Sequence, residues 1–122
     1  MKTLFLILLS FTLLQATTLQ ETKYVYVKSS IGQGKPYFVE FGSDSCHSCK
    51  IMGKALYQVK AQNPTYNIAF VNVKKERYAA QEMKIRMIPT QKIFDKNGKV
   101  VFTNVGLLTT EQLKSLFEKY KF

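Results

Sequence analysis

The chain reads as an α/β domain, a central mixed β-sheet flanked by helices on both faces. Three observations predict this. Tyr37–Phe41 (YFVEF) and Ile68–Val73 (IAFVNV) are short apolar runs of strand length, and the amphipathic segment Cys46–Gln62 joins them. A strand–helix–strand crossover is right-handed and makes its two strands parallel neighbours. Asp95–Gly98 (DKNG) carries the Asn-Gly signal of a hairpin between Gln91–Phe94 and Lys99–Thr103, which adds an antiparallel pair. The C-terminal segment places Leu113, Leu116, Phe117 and Tyr120 on one face and opens on a Thr109/Gln112 capping box.

Residues 1–18 (MKTLFLILLSFTLLQATT) stand apart. Lys2 is a positive n-region, Leu4–Leu14 an apolar stretch broken only by Ser10 and Thr12, and Gln15–Thr18 a run of small residues. This is the layout of a secretory signal peptide, and it is shorter than the roughly 20 apolar residues a membrane span needs. Cleavage after Ala16 and cleavage after Thr18 both fit. The expectation is an exported protein, soluble in the periplasm after cleavage, with one domain over residues 19–122. About a hundred residues suffice for one modest core.

The 18 Lys and Arg outnumber the 8 Asp and Glu. They are dispersed as singles and pairs with no base-reading motif, so no nucleic-acid partner is expected. A monomer is expected.

In chain order, Thr22–Val27 (TKYVYV) alternates as a β-strand does. Ser29–Lys35 holds two glycines and reads as a loop or a single helical turn. Within Tyr37–Phe41, Glu40 is the anomaly. Facing outward it needs no explanation; facing the core it costs on the order of several kcal/mol unless paired, hydrated or protonated. Ser43, Asp44 and Ser45 can cap the helix that follows. Its core stripe is Met52, Ala55, Leu56 and Val59, with Lys50, Lys54 and Lys60 in solvent, and Asn63-Pro64 ends it. A short helix is expected near Tyr78–Met83. Gly106 marks a tight backbone approach or a bulge.

Cys46 and Cys49 are the only cysteines. A bridge between them would close a tiny loop and constrain the unfolded chain little, so the pair is a poor staple and reads as reactive. Exchange needs a thiolate. The start of a helix favours the anion at Cys46, and a protonated His47 would add to this. A zinc site lacks ligands, because the single histidine lies between the cysteines and no second pair exists. Copper delivery could draw on Met52, Met83 and Met87 but lacks a distant histidine. No cofactor is expected.

From Thr22 to Tyr120 the chain resembles thioredoxin-fold proteins. VEF, a polar turn and CxxCK resemble the entry to that family's active site. IRMIPT (Ile85–Thr90), with Pro89 40 residues beyond Cys49, resembles its cis-proline segment. FDKNGK (Phe94–Lys99) resembles its hairpin, and Val105-Gly106-Leu107 its following glycine. The resemblance implies a thiol:disulfide oxidoreductase in which Cys46 is the nucleophile, Cys49 the resolving thiol and Pro89 cis. Ile88 and Pro89 would meet the substrate segment, with His47 and Ser48 beside them. Glu40, six residues before Cys46, falls where the family keeps a buried acid that moves protons for the second cysteine.

Departures from the family are Ser45 where an aromatic residue is usual, and Lys54 where a proline is common, leaving Gly53 as the only candidate bend. Phe70 stands in place of a lysine, and the first helix is shrunken to Ser29–Lys35. Related oxidases and isomerases carry histidine at the second middle position, whereas His47 is first and Ser48 second. IPT resembles reducing thioredoxins. The expected activity is reduction of disulfides in extracytoplasmic proteins, with electrons from a membrane-borne donor. Candidate substrates are misfolded exported proteins, the thiols of apocytochrome c during its maturation, or one enzyme's disulfide. The alternative is a disulfide-forming oxidase or isomerase served by a membrane oxidant.

Overall fold

A computed structural model describes residues 17–122. The signal-peptide reading falls almost wholly on residues 1–16, outside this range. Four helices and four strands follow in the order α1 (Tyr24–Ser30), β1 (Tyr37–Gly42), α2 (His47–Gln62), β2 (Ile68–Asn72), α3 (Arg77–Met83), β3 (Thr90–Phe94), β4 (Val100–Val105) and α4 (Thr110–Lys119). The sheet order is β2-β1-β3-β4. β1 and β2 are parallel, as the crossover through α2 requires. β3 is antiparallel to both β1 and β4.

Strand alternation divides the core into two layers. Val39, Phe41, Ala69 and Val71 pack with Tyr24 and Val27 of α1 and Ala79 of α3. Phe38, Ile68 and Ile93 pack on the other face with Met52, Leu56 and Val59 of α2 and Leu113 and Phe117 of α4. Ala55, Leu116 and Tyr120 are half-buried against this second layer. Both sides of β1 are covered, so its apolar run is continuous.

The hairpin turn is built around Asp95. Its carboxylate accepts from the Asn97 and Lys99 N–H groups, both at 2.9 Å, and Gly98 takes φ +88°, a left-handed backbone that suits glycine. The capping box at α4 is complete, with the Gln112 N–H at 3.1 Å from the Thr109 hydroxyl and the Thr109 N–H at 2.8 Å from Gln112 Oε1.

The strand expected over Thr22–Val27 is a helix instead. Only an isolated bridge from Glu21 to Phe70 keeps β pairing there. The buried residues of α1 are Tyr24 and Val27, three apart, which is helical spacing. The helix start is capped from a distance: the Tyr24 N–H lies 3.0 and 3.2 Å from the two oxygens of Glu76. Tyr24 OH donates to Glu82 at 2.6 Å. Tertiary partners thus override the β propensity of TKYVYV. The first helix is therefore not reduced to Ser29–Lys35; it lies earlier. Lys60 also differs from expectation, being half-buried with its ammonium donating to the Pro64 carbonyl at 3.1 Å and to that of Tyr66.

Candidate active site

The Ser43–Ser45 turn leaves β1 and delivers Cys46 to the start of α2. Cys46 is the N-cap residue, extended at φ −99° and ψ 120°, and its Sγ accepts the Cys49 N–H at 3.3 Å. The sulfur thus occupies the capping role usually held by an oxygen. Both residues are free thiols, Cys46 half-buried and Cys49 buried. Ser43 is buried, and its hydroxyl lies 3.3 Å from that of Ser45, which also accepts from Lys74 at 3.0 Å. His47 is exposed and Ser48 half-buried.

Cys49 sits against Gly42. A Cβ at position 42 would lie 2.8 Å from its sulfur and 3.2 Å from its Cβ, so only glycine leaves room for the thiol. Burial pushes the Cys49 thiol far up, to about 12, and its hydrogen bond with Cys46 acts in the same direction.

Glu40 is 1% exposed and faces the α2 side of the sheet, as Phe38 does two residues earlier. Its oxygens accept from Gln91 Nε2 at 3.1 and 3.4 Å. Burial lifts its carboxyl from the ordinary 4.5 to about 8; the Gln91 hydrogen bond opposes the rise and negative charge at Cys46 adds to it. Phe70, paired with Glu40 in register on β2, presents no charge to it.

A cavity of about 680 Å³ opens beside this group. Glu40, Ser43, Cys49 and Phe70 form its inner wall and Thr17–Glu21 its cover. That cover is tied down by the Leu19 N–H on the Gly53 carbonyl at 3.0 Å and the Thr22 N–H on the Phe70 carbonyl at 2.7 Å. Lys75 holds Glu21 at 2.8 Å. Gly53 is thus a seat for the N-terminal segment, and α2 is unbroken through it.

The Ile88–Pro89 peptide bond is cis. Thr90 pairs with Phe41, so Pro89 lies at the C-terminal end of β1, the end from which α2 starts. Pro89 is buried, Ile88 half-buried and Met87 66% exposed. The Gly106 N–H donates to the Pro89 carbonyl at 2.8 Å. Gly106 needs glycine for its φ of +102°; a Cβ there would meet nothing within 4 Å, so a tight approach does not explain it. Among the described residues, no three His, Cys, Asp or Glu side chains group as metal ligands would, and Met52 is fully buried in the core.

Two further residues belong to this site, and their signals in the sequence are weak. Gly42 carries a faint signal, a glycine ending a buried strand just before a CxxC. Gln91 carries a clearer one, an amide two residues after the proline in a strand otherwise apolar at Ile93 and Phe94.

A dithiol pair asymmetric in exposure, at a helix start and backed by a buried carboxyl, defines a protein of dithiol–disulfide exchange. A family model for a thioredoxin-like domain matches residues 25–121. The chain belongs to that thioredoxin-like family and is a thiol:disulfide oxidoreductase. It is 28% identical to a thioredoxin of Mycoplasmoides gallisepticum over 79% of this chain and 99% of that one. It is 32% identical to a thioredoxin of Buchnera aphidicola subsp. Baizongia pistaciae over 70% of this chain and 79% of that one. A thiol:disulfide interchange protein TxlA homolog from Synechocystis is 26% identical over 71% of this chain and 50% of its own length.

Proposed function

We propose that the protein reduces disulfides of exported proteins through Cys46 and Cys49, with Glu40 moving the proton of the second thiol. The observation that carries the residue roles is the asymmetry of the pair. Cys46 is reachable and its sulfur faces a backbone donor, while Cys49 is buried with its proton tightly held.

The Cys46 thiolate attacks a substrate disulfide. The substrate S–S bond breaks, a Cys46–substrate disulfide forms, and the first substrate sulfur leaves as a thiolate that takes a proton from water. Cys49 passes its proton to the Glu40 carboxylate, directly or through water in the adjoining cavity. Its thiolate then attacks the Cys46 sulfur, forming the Cys46–Cys49 disulfide and releasing the second substrate thiolate. Two electrons have passed to the substrate and must be restored by a donor dithiol, which we assign to a membrane-borne partner. In that recharging step Cys49 departs as a thiolate and Glu40 returns its proton. A carboxyl titrating near 8 is suited to both steps around neutral pH. Ile88 and Pro89 border the attacking sulfur's end of the sheet and offer backbone for an extended substrate segment.

The reductive direction is supported by the resemblance of the IPT segment, Ile88–Thr90, to that of reducing thioredoxins. Export and a periplasmic location are supported by the leader pattern of residues 1–18; a fusion of those residues to a reporter active only outside the cytoplasm tests it. Within the same reading, the candidate substrates are disulfides of misfolded exported proteins, the disulfide formed between the haem-site thiols of apocytochrome c, or the disulfide of one dedicated enzyme. Trapping tests the residue roles. Cys49→Ser incubated with a disulfide-bonded test protein such as insulin should accumulate a disulfide-linked adduct through Cys46, and Cys46→Ser should not. Equal adducts from both variants would overturn the assignment.

A further inference from the structure

Four residues form a transverse row across the sheet. Phe70 of β2 pairs with Glu40 of β1, Glu40 with Gln91 of β3, and Gln91 with Asn104 of β4. Three of the four are polar, and two of these, Glu40 and Gln91, are almost fully buried. A buried amide is costly unless its groups are satisfied, and here they are. Gln91 Nε2 donates to Glu40 at 3.1 Å and to the Gly106 carbonyl at 2.9 Å. Its Oε1 accepts from Asn104 Nδ2 at 2.7 Å.

These contacts fix which way the amide points. A backbone carbonyl only accepts, so the Gln91 atom facing Gly106 must be the NH2 group. The Asn104 donor holds the opposite oxygen. Turning the amide over would break both contacts together. The NH2 group is therefore locked toward Glu40, where it can only donate, and a donor favours the ionised carboxylate. Gly106 in turn donates to the Pro89 carbonyl at 2.8 Å. Gln91 is thus anchored to both the segment after β4 and the cis-proline segment.

We propose that Gln91 is a positioning residue for the exchange reaction: locked by Asn104 and Gly106, it holds the Glu40 carboxylate in place and keeps it able to take the Cys49 proton. The role is that of a neutral substitute for a charged partner, since Phe70 supplies no charge. This rests on the proton-transfer role of Glu40 given above.

Other groups around Glu40 bear on its titration. Cys46 and Cys49 reach it from the start of α2, and Cys49 with His47, Lys50 and Lys54 of α2 lines the same cavity. Glu21 of the N-terminal segment, Asp44 of the turn and Lys75 beyond β2 line it too. From β3, Gln91 is the hydrogen-bonding neighbour of Glu40 and carries no charge of its own.

The test is Gln91→Met, which keeps length and removes the donor, with Asn104→Ala as a milder variant at a half-buried site that unlocks the amide. The Glu40 carboxyl is titrated by carbon-13 NMR in reduced protein. The pH profile of the step that releases substrate from the Cys46 mixed disulfide is measured in parallel. In Gln91→Met the Glu40 midpoint should rise by about one pH unit, a tenfold gain in proton affinity, and the release profile should move upward with it. Asn104→Ala should shift both in the same direction by less, and it serves as the test if Gln91→Met does not fold. A Glu40 midpoint that stays in place overturns the proposal. A midpoint that rises while the release profile stays fixed overturns the proton role of Glu40, and with it the place of Gln91 in the reaction.

Discussion

Replacing Glu40 by glutamine should make the protein more stable at alkaline pH and leave it little changed at acid pH. The folded carboxyl holds its proton up to about 8, whereas the unfolded chain releases it near the ordinary 4.5. The folded state therefore binds more protons between these values, and stability falls as pH rises through the window. It is fully present below the unfolded value and lost once the folded group ionises near 8. The slope is at most about 1.4 kcal/mol per pH unit, which across the window gives an upper limit of about 5 kcal/mol. Buried sites respond as though their dielectric were well above that of dry protein, so the measured loss should be on the order of 3 kcal/mol. The amide introduced by Glu40→Gln can accept from Gln91 as the protonated acid does and never ionises, so the variant's stability should lack this slope. The chain has no tryptophan, so the assay is urea unfolding followed by far-UV circular dichroism, at pH 5, 7 and 9 with reductant present. Unfolded Cys49 ionises from its ordinary 9.0, but both proteins share that contribution, so it drops out of their difference. The two proteins should agree within about 1 kcal/mol at pH 5 and diverge by about 3 kcal/mol in favour of the variant at pH 9. A difference that stays constant from pH 5 to pH 9 would refute the reasoning, because Glu40 would not then be a desolvated group titrating in the folded state.

Other substitutions probe the same structure. Gly42→Ala pushes a methyl group to 2.8 Å from the Cys49 sulfur, and the overpacking should cost about 1–3 kcal/mol in urea unfolding and slow insulin reduction. Glu76→Ala removes the acceptor at the start of α1 and should cost about 1–2 kcal/mol, while Glu76→Gln, which keeps one carbonyl oxygen, should cost less. Thr109→Ala breaks the capping box of α4 and should cost about 1 kcal/mol by the same unfolding assay, with exchange activity unchanged. The rate of substrate release from the mixed disulfide should climb with pH to a plateau beyond about 8, the range in which Glu40 ionises, and Glu40→Gln should abolish that rise in stopped-flow measurements.

How much of this was legible in the sequence varies element by element. The parallel pair around α2 and the DKNG hairpin were legible because apolar period and turn chemistry are local properties. The Thr109/Gln112 box was legible for the same reason. Helix α1 was not, because its cap is Glu76 and its hydroxyl partner Glu82, both more than fifty residues away in sequence. TKYVYV alone has the propensity of a strand, and only the burial of Tyr24 and Val27 against β1 and α3 decides otherwise. The side of the sheet that Glu40 faces was undecidable from YFVEF, since β1 is buried on both faces and its pattern does not alternate. The CxxC placed the thiols at a helix start, but the crowding at Gly42 depends on how closely α2 crosses the end of β1. Gln91 was named only as the start of a strand; its meaning appears once the register sets it between Glu40 and Asn104.

The most direct measurement of the central claim is the equilibrium reduction potential of the Cys46–Cys49 pair, read by thiol alkylation after equilibration with glutathione and dithiothreitol series. The expected result is one two-electron transition near about −270 mV, the value of a reducing thioredoxin. A transition near about −120 mV would contradict the reductive reading and make the protein a disulfide-forming oxidase. Failure of the pair to form an internal disulfide at any poise would contradict dithiol exchange itself.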